Sequence, residues 1–351
     1  MNIPVSSTPF RVWPGARDEP DGTISFGDPS GEQRAARDST VVCDVGASGV
    51  LSVAGPDAAA FLQGQLTNDV DSLAVGSWQL AAWCSAKGRV LVVCVVRRLT
   101  DESFELLLPG AQVAPIRKRL SMFVLRAKVV IEDRSAATLR FGVGGPSAAL
   151  ALRDALDAVP EGNGIVDVDG ALWQALPGKR FLASAGAPTA MAQWERVGAT
   201  ARRAAEPTWT WLRVRSGVAR VTAATSDQFV PQSLNLDALD AINFRKGCYA
   251  GQEIVARTQY LGRLKERLVL AHVDAAAAAG ERLYSAVFDA QACGTVIEAA
   301  PAPDGGSDLL AVVQLAARDE GVRLHNIEGP RLEVLPLPYP IPAAPPPRGR
   351  M

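Results

Sequence analysis

The sequence predicts an α+β body followed by a C-terminal antiparallel β-barrel, on three observations. Strand and helix periodicities are mixed through residues 39–262. From Leu268 to Val334 only short strands remain, set among Gly, Asp and Pro turns, which is the pattern of a small barrel. The 351 residues, 48% hydrophobic and 21% charged, are enough for about two or three well-filled domains.

The elements follow in order. Residues 1–38, rich in Pro, Gly, Asp and Arg, form a variable lead-in. Val50–Val53 is a strand ending at Gly55, and Pro56 starts a helix through Leu66. Trp78–Trp83 and Arg89–Arg97 pair around an Ala86-Lys87-Gly88 turn. Phe104–Leu108 is a strand, Ala111–Leu120 a helix and Val124–Glu132 a strand. Thr138–Gly142 leads through Gly144-Gly145-Pro146 into a helix, Ser147–Leu156. Those glycines begin like a dinucleotide fingerprint, but Ser147 replaces the third, so a strand-to-helix turn is the better account. Ile165–Leu176 and Arg180–Ser184 read as a hairpin, Pro188–Gly198 as a helix and Ala241–Phe244 as a strand. A short helix with Ile254, Val255 and Thr258 then stops at Leu261-Gly262. Residues 263–335 make the barrel, and the tail 336–351, with seven prolines, reads as extended or disordered.

Composition removes several function classes. A net charge of −1 gives no bulk attraction to nucleic acid, so direct nucleic-acid binding is not expected. The longest apolar run, Val90–Val96, is strand length, and the first fifteen residues carry no signal pattern, so no membrane contact is expected. Five cysteines at 43, 84, 94, 248 and 293 form no CxxC pair, which suits a reducing, cytoplasmic compartment. With His272 and His325 the only histidines, a histidine-built metal site is not expected, and no metal ligands are assigned.

The most informative segment is Lys246-Gly247-Cys248-Tyr249-Ala250-Gly251-Gln252-Glu253. Gly247 permits a tight turn and Gly251 an unusual φ or a close backbone approach. Cys248 is placed at or just before a helix N-terminus, beside Lys246, and both would favour its thiolate. Gln252 and Glu253 give local hydrogen-bonding support. Cys84 and Cys94 fall on strands and read as core.

This segment resembles the signature of the YgfZ family, related to the T-protein (aminomethyltransferase) of glycine cleavage. Three further segments match in order: Phe61-Leu62-Gln63-Gly64-Gln65-Leu66-Thr67-Asn68-Asp69-Val70, Cys84-Ser85-Ala86-Lys87-Gly88-Arg89-Val90, and Phe229-Val230-Pro231-Gln232-Ser233-Leu234-Asn235-Leu236. The resemblance implies a three-lobed, T-protein-like (GcvT-like) fold around a central tetrahydrofolate pocket. It further implies a folate-binding accessory protein in iron–sulfur cluster assembly or repair, affecting tRNA-modifying Fe–S enzymes under oxidative stress. Its partners would be a reduced folate and Fe–S client or assembly proteins. Cys248 would be the reactive centre and Lys246 its electrostatic partner.

Folate recognition asks for a carboxylate or amide at the pterin edge, apolar or aromatic walls, and cations for the glutamate tail. Asn68, Asp69, Gln232 and Glu253 are candidates for the first. Phe229, Tyr249 and Trp194 suit the second, and Lys87, Arg213, Arg220 and Arg245 the third. Two departures from the T-protein stand out. Its Asp-Asp pair is replaced by Val92-Val93, which argues against aminomethyl transfer, the alternative activity. Its pterin-contacting Glu is matched by Arg215, in Arg213-Val214-Arg215-Ser216-Gly217.

Overall fold

Two short strands, β1 (Arg17–Asp18) and β2 (Ile24–Ser25), come first in the computed structural model, which describes residues 13–19, 24–260, 264–289 and 291–342. Pro29 and the Asp28 carboxylate, which accepts from Gly31 N, start α1 (Pro29–Asp38). Buried Glu32 of this helix accepts from Phe26 N and Ala205 N, tying the lead-in to the body.

β3 (Val41–Asp44), β4 (Ser48–Ala54) and α2 (Ala58–Gln63) precede the meander β5 (Ser77–Cys84), β6 (Val90–Thr100) and β7 (Ser103–Pro109). With α3 (Val113–Ser121) and β8 (Val130–Asp133) this gives an antiparallel sheet of order β5-β6-β7-β4-β8. Next come β9 (Leu139–Gly144), α4 (Ala148–Leu156), β10 (Ile165–Val168), β11 (Ala171–Leu176), β12 (Arg180–Ala185), α5 (Ala187–Gly198) and β13 (Arg202–Ala204). They build a second sheet, β10-β11-β12-β9-β3-β13, in which β13 runs parallel to β3. α6 (Glu206–Arg215) and α7 (Gln252–Tyr260) follow. β14 (Glu266–Val273), β15 (Arg282–Tyr284), β16 (Ala292–Pro301), β17 (Ser307–Gln314), α8 (Leu315–Arg318), β18 (Arg323–Leu324) and β19 (Glu333–Leu335) complete the chain. Their sheet, β18-β15-β16-β17-β14-β19, is antiparallel with two free edges, so the expected barrel is a half-barrel. The three sheets meet at one apolar junction that includes Val45, Leu80, Val93, Trp209, Leu268 and Leu310.

The structure departs from the sequence expectations at particular places. Ile165–Leu176 is two strands, because Asp169 (φ 52°) and Gly170 (φ 84°) turn the chain between them. The Val124–Glu132 strand shrinks to β8, since Lys128 N is drawn to the Asp57 carboxylate. The helix from Pro56 spans only α2. Ala241–Phe244 is not a strand; Asn243 N instead donates to Thr67 O at 2.9 Å. The tail is anchored as far as it is described, with the Tyr339 hydroxyl donating to Gly217 O at 2.8 Å. The stop at Leu261-Gly262 lies outside the described residues.

Candidate functional site

The cysteine segment is held from below by the first motif. Asn243 starts it, its side-chain oxygen accepting from Arg245 N and Lys246 N. The Lys246 ammonium then donates to three carbonyls, Gln63 O (2.6 Å), Leu66 O (2.7 Å) and Asn68 O (2.9 Å), and lies 5.3 Å from the Tyr249 ring centre. It thereby satisfies carbonyls at the C-terminal end of α2 and in the loop that follows. Burial pulls the ammonium pKa down to about 8, against the opposing pull of Asp69 and Asp71. Tyr249 is buried, and burial pushes its hydroxyl pKa well up.

Gly251 fixes the same segment from the side. It has φ 79°, and a Cβ there would stand 2.4 Å from Ser85 O and 2.7 Å from Gly88 Cα. Gly88, at φ 66°, is closed less tightly, a Cβ there standing 2.8 Å from Ile254 Cβ and 3.1 Å from Gly251 O. Two glycines on facing loops therefore let the β5–β6 turn and the cysteine segment touch backbone to backbone. Gly247, by contrast, has open space around it and no left-handed φ, so no steric demand for glycine exists there.

Cys248 is the exposed one of five free cysteines; the other four are buried. The two expected thiolate activators are not in place. Cys248 lies four residues ahead of Gln252, outside the first turn of α7, where the helix field has faded. Lys246 directs its three protons at carbonyls, leaving none for the thiol. Gln252 turns back toward Lys246 O (3.5 Å), and Glu253 is exposed in the first turn of α7. Among the described residues no three His, Cys, Asp or Glu side chains are grouped to hold a metal ion.

A second feature is a cavity of about 100 Å³ at the junction of the sheets. Leu80, Val95 and Leu107, in register across β5, β6 and β7, form one wall, with Val93 beside them. Leu176, Arg180 and Leu182 of β11 and β12 form the opposite wall. Trp209 and Arg213, one turn apart on α6, close it with Arg220. Arg213 grips Glu298 through Nε (3.1 Å) and Nη2 (2.6 Å), and Arg220 meets Glu206 at 3.4 Å. Burial lowers the Arg213 pKa, but Glu298 outweighs it and leaves it raised. Arg180 is buried over the Trp209 ring, 5.2 Å from its centre, and burial followed by repulsion from Arg213 takes its pKa down to about 9.

Of the expected folate contacts, this cavity gathers only Arg213 and Arg220. Trp194 cannot line it: it is fully buried in a different core, stacked on Trp13 at 4.3 Å. Asn68 stitches the first motif to the cysteine segment, donating to Leu80 O and Asp240 O, and Asp69 accepts from Gln63 Nε2. Burial raises the Asp69 pKa, but its hydrogen bonds from Gln63 and Ser72 win and hold it below the ordinary value. Gln232 is buried and donates to Val255 O, while Phe229 O accepts from Val90 N to brace the hairpin. Lys87 is exposed on the turn, and Arg245 is exposed beside Lys246. Arg215 does not face the cavity; it meets Asp308 of the half-barrel at 3.4 Å. Trp209 and Arg180 were missed. Glu206-Pro207, an acidic residue and a proline opening α6, was the available signal for the helix that carries Trp209.

The GCVT N-terminal domain matches residues 23–163. The chain is 32% identical over 307 residues to the tRNA-modifying protein YgfZ of Yersinia pestis (strain Pestoides F), covering 83% of this chain and 89% of that protein. The protein of the same name from Yersinia pseudotuberculosis serotype IB (strain PB1/+) matches to the same extent. Among solved structures, the glycine cleavage system aminomethyltransferase T from Bartonella henselae superposes with a TM-score of 0.72 over 92% of this chain and 94% of that one, at 16% identity. That likeness shows a shared fold.

Proposed function

Because the chain belongs to the YgfZ family, among proteins that carry the GCVT N-terminal domain, we propose that it binds a reduced folate in the central cavity and serves iron–sulfur proteins through Cys248. The relatives' name points to tRNA modification. We read the part of this chain as indirect, supporting the Fe–S enzymes that modify tRNA, in the cytoplasm and under oxidative stress.

One observation carries the reading: a single exposed thiol sits on a segment that Lys246 and the Gly88–Gly251 contact hold in one place. A buried structural cysteine needs no such mounting. Thiolates are the preferred ligands of Fe–S clusters, and one cysteine can contact iron only transiently or together with a partner's ligands. Cys248 meets both conditions of a shared ligand, being accessible and held.

The cavity suits a folate in kind. Leu80, Val93 and Val95 offer flat apolar contact, Trp209 an aromatic wall, and the arginines complement an anionic tail. Val93 also argues against aminomethyl transfer. It lines the cavity where the T-protein carries a carboxylate, while Val92 faces the core behind the sheet. No acid at Val93 means no proton relay to an amine.

The test is complementation of a strain lacking its own copy, read as the activity of a tRNA-modifying Fe–S enzyme. The wild-type chain restores that activity and Cys248→Ser does not. Restoration by Cys248→Ser would remove the thiol from the account.

A further inference from the structure

Acidic and basic residues nearly balance over the chain, 37 against 36, yet no Asp or Glu occurs from Leu106 to Ile131. That stretch holds Arg117, Lys118, Arg119, Arg126 and Lys128, all exposed and, among the described residues, none with its side chain in an ion pair. It also exposes Met122 (63%), Phe123 (44%) and Leu125 (89%) after α3, and Val130 (60%) on β8, an edge strand of its sheet. Leu125 is unfavourable twice over. Its φ of 45° is one that a bulky side chain rarely adopts, and the side chain held there stands in the open. Strain of this kind gathers where a contact or a function holds it.

We propose that the connection from Arg117 to Val130 is a docking surface for a protein partner, one that offers an apolar patch ringed by Asp and Glu. The inference rests on the reading that a partner shares Cys248, and deepens it by assigning the face on which that partner sits. Exposed apolar side chains among unpaired cations are the two halves of an interface. The first supply area to bury, and the second select an acidic surface and speed its approach. Contacts lead from this face to the mount of the thiol. Phe123 meets the Trp83 ring edge-on at 6.0 Å, and Arg119 lies over the same ring at 5.7 Å. Trp83 Nε1 donates to Gln65 Oε1 at 3.3 Å, and Gln65 stands between Gln63 and Leu66, whose carbonyls hold Lys246. A nucleic acid would use the cations but leave Met122 and Leu125 uncovered. A lipid surface would cover both halves but bring no ligand to the thiol.

Complementation of a strain lacking its own copy, read as the activity of a tRNA-modifying Fe–S enzyme, tests this face. Leu125→Asn removes the apolar tip with a residue that suits a left-handed φ. Lys118→Glu combined with Arg126→Glu reverses charge at two side chains that bond to nothing else among the described residues. Expression is set just high enough for the wild-type chain to work. Each variant is then expected to restore roughly tenfold less activity, and overexpression to recover most of it, because mass action offsets a weaker dock. The melting temperature and the alkylation rate of Cys248 stay at the wild-type values. Lys118→Arg combined with Arg126→Lys, which keeps the charge, complements fully. Full complementation by either disrupting variant at limiting expression overturns the docking surface. A lowered melting temperature with activity that overexpression does not recover overturns it in favour of a structural role.

Two further probes of the purified full chain test the other occupants: vesicles of phosphatidylglycerol and phosphatidylcholine, and unfractionated tRNA. Neither is expected to be held by this face. Co-sedimentation with the vesicles that Leu125→Asn abolishes would put a membrane in place of the protein. A tRNA gel shift that the charge reversal abolishes would put RNA there, and either result overturns the proposal. Cys248→Ser, carried through the same complementation, tells this inference from the reading beneath it. Activity with Cys248→Ser but not with Leu125→Asn sinks the shared thiol and keeps the dock. Activity with Leu125→Asn at limiting expression but none with Cys248→Ser does the reverse. Loss in both, recovered by overexpression only for Leu125→Asn, is the expected pattern.

Discussion

The Cys248 segment and the central cavity are built in opposite ways on one hairpin. Backbone holds the first: three carbonyls on one ammonium and two glycines in contact, all drawn from residues 63–68, 85–88 and 243–251. Side chains hold the second, contributed from Val45 to Arg220 and paired with Glu206 and Glu298. Gly88, two residues before β6, and Val93, on it, are five positions apart in the chain, at most roughly 17 Å when extended. A backbone-held loop tolerates no change at its contact points but is indifferent to its exposed thiol. A side-chain cavity can change its ligand by single substitutions and keep its shape.

The largest expected effect tests the backbone half. Gly251→Ala combines a positive φ with overlap on Ser85 O, at a cost of about 3 kcal/mol or more. Urea denaturation measures it, and a loss under about 1 kcal/mol would mean the loops part freely. Lys246→Met comes next, stranding three carbonyls for about 2–3 kcal/mol. Cys248→Ala should change stability by less than about 0.5 kcal/mol, because the side chain is exposed. A larger loss would make the cysteine structural after all.

The smallest effect sits on the cavity side. His272 donates or accepts at Asp308 (2.9 Å) and Asp274 (3.2 Å), and Asp308 also accepts from Trp211 Nε1 of α6 and meets Arg215. Burial lowers the His272 pKa, but the two carboxylates outweigh it and raise it above 6.5. Its protonated form thus stabilises the fold fully below pH 6.5, and that contribution is lost as pH rises through the raised value. His272→Asn should flatten stability against pH in that window. Since, among the described residues, the Cys248 segment has no such titrating contact with the half-barrel, thiol reactivity in His272→Asn should match the wild type.

The same contrast explains what could be read in advance. The cysteine segment was legible because glycine, lysine and cysteine make their demands within eight residues and a motif can hold them. Even there, proximity in sequence misled: Lys246 stands two residues from Cys248 in the chain yet serves the carbonyls of α2 and its following loop. The β5–β6 pair was legible because its apolar run is bracketed by arginines around a Lys-Gly turn. The cavity was not, since Trp209 and Arg180 become neighbours only after two sheets and a helix assemble. Trp194 was the converse error, an aromatic whose burial in a separate core no local pattern reports. Asn68 and Gln232, expected at the pterin edge, use their amides to hold backbone instead.

The central claim is that folate site and thiol are separate places on one frame. An anaerobic titration with tetrahydrofolate, followed by tryptophan fluorescence, tests it on the wild type, Cys248→Ser and Val93→Phe. Saturable micromolar binding is expected for the wild type and Cys248→Ser alike, and loss of binding when a bulky ring fills the cavity at Val93. Binding that fails in Cys248→Ser but survives in Val93→Phe would place the folate at the cysteine segment and contradict it.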